Sequence, residues 1–528
     1  MTEETEQERP TLGGEEAIKL WRQGREAWNN WIDQHSGWDI DFSFSDFSRE
    51  LGRDEDISFS GYRFGNGNIY FFNANFSNNN INFSRAKFGN GRVDFSLAKF
   101  GNGEANFSGT IFGNGRVDFS DAIFGNGKVN FSGATFGDGG THFYRTRFGK
   151  GYVDFSKAVF GNGGVTFFQS KFGDGKVDFS GVDFGNGDLN FSDANLGNGD
   201  VIFNEASFGC DNISFLRTTF GDGSVKFSRA LIGKCNLNFF ESDFGKGSLN
   251  FYNTMLGNST ISLNHTTIDV LTFKPRHFES KSIMGQGISI KSLAIFSLPT
   301  SANELKYFDL QGASFDGPLF LSANLNIIPD LRATRYSHQV DLSGLKVELP
   351  RTSIRFGWPP KLVRKAEDPQ DGPKLRRLKE IAETNKDHQA ALRFSADENR
   401  AKRWIETSWF GSVLDMAFSF FSNYGQSILR PFVCLLAIFA DWTSIYLALS
   451  PRTLANWWAG LEQAALLSVS NSLPFLPQSR DLRTDALTAL YGTTDPSLCV
   501  DLLMITQGVL SFVFLFLIGL GLRNRFRL

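Results

Sequence analysis

From Phe64 onward the chain returns to the same words every 12 residues: FGNGRVDFSLAK, FGNGEANFSGTI, FGNGRVDFSDAI, FGNGKVNFSGAT. The leading position runs through Phe64, Phe76, Phe88, Phe100, Phe112 and Phe124 to Leu256, and all 17 of its occupants are large and apolar. Seven residues later comes a second series, Phe71, Phe83, Phe95, Phe107, Phe119 and Phe131, which ends at Leu263. A smaller residue stands two places before each, typically Val or Ile before the second series and Ala or Thr before the first (Val93, Val117; Ala86, Thr110). The 56 Phe and 54 Gly of the composition follow from this repetition, since such bias marks a repeated unit rather than varied globular packing.

The spacing selects an architecture. A helix needs apolar residues three and four apart, which this unit does not supply. A small and a large residue two apart both point inward on a short extended segment, because side chains alternate faces along a strand. The polar residues that follow turn a corner. Each 12-mer therefore holds two sides, one of five residues and one of seven, and the longer carries Gly-x-Gly (Gly65, Gly67; Gly89, Gly91), where glycine accepts the positive φ of a tight turn. Two 12-mers close one four-sided coil of 24 residues, and 17 repeats give about eight coils, a rod of roughly 40 Å. A coil of one 12-mer is the rival, but so thin a coil has little room for two Phe per turn. The expected inward ladder includes Phe88, Phe95, Phe100, Phe107, Phe112, Phe119, Phe124 and Phe131.

The small-x-large-polar-x unit resembles the bacterial pentapeptide-repeat family, here in an expanded form of five plus seven residues. The likeness runs over residues 57–270 and continues in scattered echoes (YFDLQGASF, FLSANL, VDLSGL) over 271–350. It implies an all-β solenoid, a right-handed quadrilateral β-helix; the inserted Gly-Asn-Gly departs from the family pattern.

Stacked coils contact only their neighbours, so the ends need caps. Residues 1–56 are read as a tail and a capping helix. EEAIKLWRQGREAWNNWIDQ (15–34) places Trp21, Trp28 and Trp31 or Ile32 on one helical face suited to an open coil edge. Residues 271–360 read as degenerate coils and the second cap, and 361–410 as a charged helical hairpin.

Residues 411–528 read as a membrane domain. The stretch 411–429, rich in Phe and Ser, suits a bilayer surface, and 431–449 carries one charge, Asp441. A second apolar segment lies within 498–522, where 502–522 is uncharged; about 20 such residues span a bilayer. Arg430 precedes the first span while Arg523, Arg525 and Arg527 follow the second, which predicts two spans with both termini cytoplasmic in a bacterial inner membrane. The start MTEETEQERP has no basic-then-apolar signal pattern, which agrees. Between the spans, 454–477 is expected as a re-entrant helix ending near Asn471–Pro474. LRRLKEIAETNKDHQAALRF, SNYGQSILRP, SNSLPF and GLRNRFRL resemble the ion-channel-like membrane domain of some bacterial pentapeptide-repeat proteins. That resemblance implies an ion-channel-like homo-oligomer; the first reading is a pore whose cytosolic solenoid docks or senses a protein partner, and the alternative is a rod held at the membrane by non-conducting helices as an interaction scaffold.

The candidate intramembrane polar residues are Asp441, Ser468, Ser470, Asn471, Ser472 and Gln507, with Thr506 beside them. An ionisable group in mid-span is costly and faces water or a partner. The serines and Asn471 would line a pore mouth if the re-entrant helix forms and are otherwise an ordinary polar loop, and Gln507 would line the pore or hydrogen-bond between helices. The potassium-filter word TVGYG is absent. No enzyme, cofactor or metal is expected: GNG lacks the Lys-Ser/Thr of a phosphate loop, the six His are isolated, and no nucleophile–base set stands out. The four cysteines are scattered without a CxxC pair, which fits a reducing compartment or membrane-buried thiols. With 53 basic against 56 acidic residues overall, and 18 of each within 61–270, neither nucleic-acid binding nor DNA mimicry is supported.

Overall fold

The structure is a computed structural model, and it describes residues 9–50, 56–300, 302, 305–354, 363–451, 457–473 and 477–526. The chain divides into two compact units, Met1–Pro350 and Arg351–Leu528.

In the first unit the 12-residue words form the four-sided coil that their spacing predicts. Val93–Asp94 pairs with Val117–Asp118 and then Thr141–His142 in one parallel ladder, while Val129–Asn130, Val153–Asp154 and Val177–Asp178 build a second. Single parallel bridges add two more, Lys87↔Ile111↔Thr135 and Lys99↔Ile123↔Arg147. Partners in the regular region stand 24 residues apart, so each coil carries one step of each ladder. The extended segments are only two or three residues long because the chain turns at once. At one such corner Ala98 N–H donates to Phe95 O (3.1 Å), and Leu97 between them has φ 60°, the geometry of a type II turn. Arg85, Asp121, Arg145 and Lys157 repeat it. A left-handed non-glycine residue costs on the order of 1 kcal/mol, and it persists here because the stacked rings on either side fix the backbone.

Those rings are the core. Phe119 lies between Phe95 (4.9 Å between centroids) and Phe143 (5.1 Å) in nearly parallel stacks, and its edge meets Phe107 and Phe131. Phe88 stacks on Phe112 (5.0 Å) and Phe100 on Phe124 (4.3 Å) in the flanking ladders. All eight Phe expected in the core are buried. Burying one phenyl group contributes roughly 2 kcal/mol, and each ring also braces the two coils beside it.

The Gly-x-Gly turns match the sequence expectation in part: Gly65 has the expected positive φ (69°), as do Gly101, Gly197 and Gly221 at the same place in other repeats. Gly89 and Gly91 do not have positive φ; they are glycine because coils touch there, and a Cβ on Gly91 would lie 2.0 Å from Gly67 O. The intervening Asn makes the contact specific. Asn90 N–H donates to Asn66 Oδ1 (3.3 Å) and Asn114 N–H to Asn90 Oδ1 (3.0 Å), so each turn hydrogen-bonds the next.

The coil extends further than the strict repeat. Thr11–Gly13 pairs with Asp39–Asp41, which pairs with Ile69–Tyr70, and Phe42 stacks on Phe71 (5.0 Å). The first ladder reaches 13 strands, a stack of roughly 60 Å. Downstream the coil tightens to 22 residues (Leu249↔Leu271, Ile261↔Ile283) and then loosens to 25 (Ile283↔Phe308). The expected single capping helix is two, α1 (Gly14–Arg22) and α2 (Arg25–Gln34), with a one-turn α3 (Phe47–Glu50) after them. The break falls at Gly24, whose φ of 91° no helix accommodates. Trp21 and Trp28 cover the first rings, and their indole N–H groups satisfy edge carbonyls, Trp21 to Ser58 O (3.0 Å) and Trp28 to Arg63 O (2.7 Å). Of the alternatives Trp31 and Ile32, Ile32 is buried, and Trp31 stacks on His35 instead.

The second unit opens with an antiparallel pair, Arg351–Ile354 with Val363–Ala366, then a helical hairpin of α4 (Asp371–Thr384) and α5 (His388–Lys402). Leu375, Leu378 and Ile381 close its core with Ala391 and Phe394, and the buried Glu398 accepts from Arg376 (3.0 Å) and Lys402. At the start of α4, Asp371 is buried and its Oδ2 has no hydrogen-bond partner among the described residues. Burial raises its carboxyl to about 6, against the pull of Lys374. A raised carboxyl pKa means that the fold holds the proton more tightly than the unfolded chain does. The ionised form therefore costs stability above pH 6, and the cost fades as pH falls toward the unfolded value near 4. Asp371→Asn is expected to stabilise the helical unit at pH 7, by up to roughly 3 kcal/mol, and to leave it unchanged near pH 4. Chemical unfolding at both pH values checks this; parallel pH curves for the two proteins would contradict it.

Candidate functional site

Five further helices follow: α6 (Trp409–Ser422), α7 (Leu429–Ala448), α8 (Trp457–Ser472), α9 (Ser479–Tyr491) and α10 (Leu498–Phe526). Among the described residues α7 and α10 are the two helices long and apolar enough to cross a membrane, with mean hydropathy 1.6 and 2.3. They run antiparallel. Gly521 lies against Ile428 and Asn524 Nδ2 donates to Gly425 O (3.0 Å), so Arg430, Arg523 and Arg525 gather at one end. α9 is not marked by any sequence pattern, and its Ala486, Leu487 and Leu490 pack with Tyr446 and Leu467. The expected re-entrant segment 454–477 lies in part outside the described residues, Pro474 included, and its described portion is α8.

Where α7, α8 and α10 meet, the polar residues singled out in the sequence close on one another. Gln507 is the hub. Its Oε1 accepts from Tyr446 OH (2.8 Å) and Asn471 Nδ2 (3.1 Å), while its Nε2 donates to Ser468 Oγ (2.7 Å) and Ser472 Oγ (3.1 Å). Asn471 Nδ2 also reaches Met504 O (2.6 Å), Ser468 Oγ donates to Phe439 O (3.1 Å), and Ser511 Oγ lies 3.3 Å from Ser472 Oγ. Ser470, equally buried, donates back to Leu467 O in its own helix (2.9 Å). In an apolar interior each of these bonds replaces an unsatisfied polar group, so together they fix the spacing of three helices. No member is a nucleophile paired with a base. Gln507 has both amide ends engaged.

Asp441 is apart from this network. It is exposed on α7 beside exposed Ala437, Ala440 and Ser444, and has no hydrogen-bond or ion-pair partner among the described residues. Two members of the network went unrecognised in the sequence, Tyr446 and Ser511. Ser511 was detectable, since Ser468/Ser472 and Gln507/Ser511 are both i, i+4 pairs that share a helix face. Tyr446, one aromatic residue among many, carried no such signal.

A second polar cluster sits at the arginine end. Three consecutive left-handed residues, Asn423, Tyr424 and Gly425, turn the chain from α6 into α7. Arg403 holds this turn: its Nε donates to Asp415 Oδ2 (2.7 Å) and its Nη2 to Tyr424 OH (2.9 Å), and that hydroxyl donates to the same carboxylate (2.9 Å). Burial pushes the Tyr424 hydroxyl up to about 12, so it remains a donor at any ordinary pH. No family model, curated protein or solved structure matches the chain. The helical unit is therefore read from its own contacts, and these bring SNYGQSILRP and GLRNRFRL together at Gly425 and Asn524.

Proposed function

We propose that this is a membrane-anchored repeat protein of the pentapeptide-repeat type. In this reading α7 and α10 cross a bacterial inner membrane with both termini cytoplasmic, and copies associate through the Asp441 face of α7 into an ion-conducting assembly. The solenoid docks a protein partner, and the chain performs no catalysis and holds no cofactor. The observation that carries the reading is Asp441, an exposed carboxylate on a helix only 17% buried over its most apolar stretch. A charge facing lipid there costs roughly 3 kcal/mol, which a water path or a neighbouring copy would remove. The gathering of Arg430, Arg523 and Arg525 at one end supports the orientation. Two helices cannot enclose a water path alone, so conduction requires several copies.

The test is purified protein in planar bilayers. Discrete conductance is expected, reduced in Asp441→Asn, from a particle whose size in detergent is that of an oligomer. A monomer in detergent, or silence from an intact oligomer, would refute conduction. The second reading, a scaffold held at the membrane by non-conducting helices, is favoured by the saturation of Gln507, Asn471 and Ser468, which leaves no polar lining among them. A DNA-mimicking rod ranks last because 61–270 has no net charge.

A further inference from the structure

In the solenoid, the same turn of two adjacent coils departs from Gly-x-Gly: Gly209-Cys210-Asp211 in one and Gly233-Lys234-Cys235 in the next. The backbones stay in register, with Phe208 paired to Ile232 and Asn212 to Asn236. Losing the second glycine changes what fills the turn. Cys210 and Cys235 point inward, fully buried, and below them Ser259 and Ser280 continue the column, their Oγ atoms 2.7 Å apart. The two sulfurs are 3.2 Å apart, and Cys235 Sγ also lies 3.5 Å from Phe208 O.

We propose that Cys210 and Cys235 form a disulfide on exposure to a peroxide, an oxidative modification site that staples two coils of the solenoid. Neighbouring coils stack about 4.8 Å apart, within the span that a disulfide bridges, so closure needs only a small approach of the sulfurs. The pair is asymmetric. The hydrogen bond with Cys210 and burial raise the Cys235 thiol, while the hydrogen bond with Cys235 lowers Cys210, so Cys210 is the more readily ionised of the two. The Cys210 sulfur attacks one peroxide oxygen; the O–O bond breaks, the other oxygen takes up the proton the thiol has given up and leaves as water, and Cys210 becomes a sulfenic acid. The Cys235 sulfur then displaces the sulfenic oxygen as a second water, and the S–S bond forms. Two electrons pass from the thiols to the peroxide. No other co-reactant is needed.

The experiment uses the full chain in detergent, treated with hydrogen peroxide, then denatured and alkylated. Peptide mapping is expected to return a Cys210–Cys235 cross-linked peptide. In a Cys434→Ser/Cys499→Ser background, which keeps this pair alone of the four cysteines, alkylation is expected to fall from two thiols to none. Adding Cys235→Ser to that background should leave a single oxidised Cys210 without a cross-link. Both thiols still alkylated after peroxide, or oxidation of Cys210 to sulfinic acid with no cross-link in the native chain, would overturn the proposal. Mapping the native chain decides the matter even where a variant fails to fold.

Discussion

Replacing Phe119 with Asp is expected to abolish the cooperative melting of the solenoid. The ring is fully buried between Phe95 and Phe143, with Phe107 and Phe131 against its edges, so its surroundings are aromatic on both faces and at the edges. Removing it forfeits roughly 2 kcal/mol of apolar burial, and a carboxylate in its place adds the cost of an unpaired charge, several kcal/mol more. Because each coil is held by its neighbours alone, one broken layer divides the stack instead of loosening it evenly. Leu97→Asp is the matched control: that side chain stands at an exposed corner of the adjacent coil, and the same charge should be tolerated there. Circular dichroism melts of the two variants beside the parent make the comparison. Equal melting of Phe119→Asp and the parent would mean that the ring ladder is not the source of stability.

Gln507→Leu should be the most damaging conservative change in the helical unit. The side chain keeps its volume but leaves Tyr446 OH, Asn471 Nδ2, Ser468 Oγ and Ser472 Oγ short of a partner at one buried junction. Each group left unsatisfied costs about 1–3 kcal/mol in a dry interior, while interhelical bonds in membranes average nearer 0.6 kcal/mol because the loosened helices find other partners. A total loss of roughly 2–5 kcal/mol follows on these figures. Unfolding in mixed micelles measures it, and a double-mutant cycle adds a sharper criterion. Tyr446→Phe should cost less in the Gln507→Leu protein than in the parent, since its hydroxyl has already lost its acceptor. Strict additivity of the two changes would show that the network does not act as a unit.

Much of the solenoid was legible in the 12-residue words. A period of 12 with two large residues admits few ways of burying both, and the four ladders and stacked rings follow from it. The words went silent where the period ended. DIDFSFSDF has two Phe in the right places but no Gly-x-Gly, so pattern alone does not separate the coil formed by Asp39–Asp41 and Phe42 from a tail. The glycines were legible as a turn, and positive φ explains Gly65 and Gly101, but not Gly89 or Gly91, because the contact that excludes a Cβ there comes from a coil 24 residues away. Cys210 and Cys235 looked scattered along the chain, yet a separation of 25 in a coil of 24 makes them neighbours. In the helical unit the apolar lengths marked α7 and α10, and the polar residues among them stood out. Whether those residues faced a pore or one another could not be read from the chain.

Sequence by itself determined the coil: a strict period carries its own three-dimensional partner, the next repeat, so local pattern and long-range contact are one piece of information. Tertiary structure alone decided the fates of Gln507, Asn471, Ser468 and Asp441. A polar side chain in an apolar helix has no preferred partner until the other helices are in place, and their packing enclosed the first three while leaving Asp441 outside.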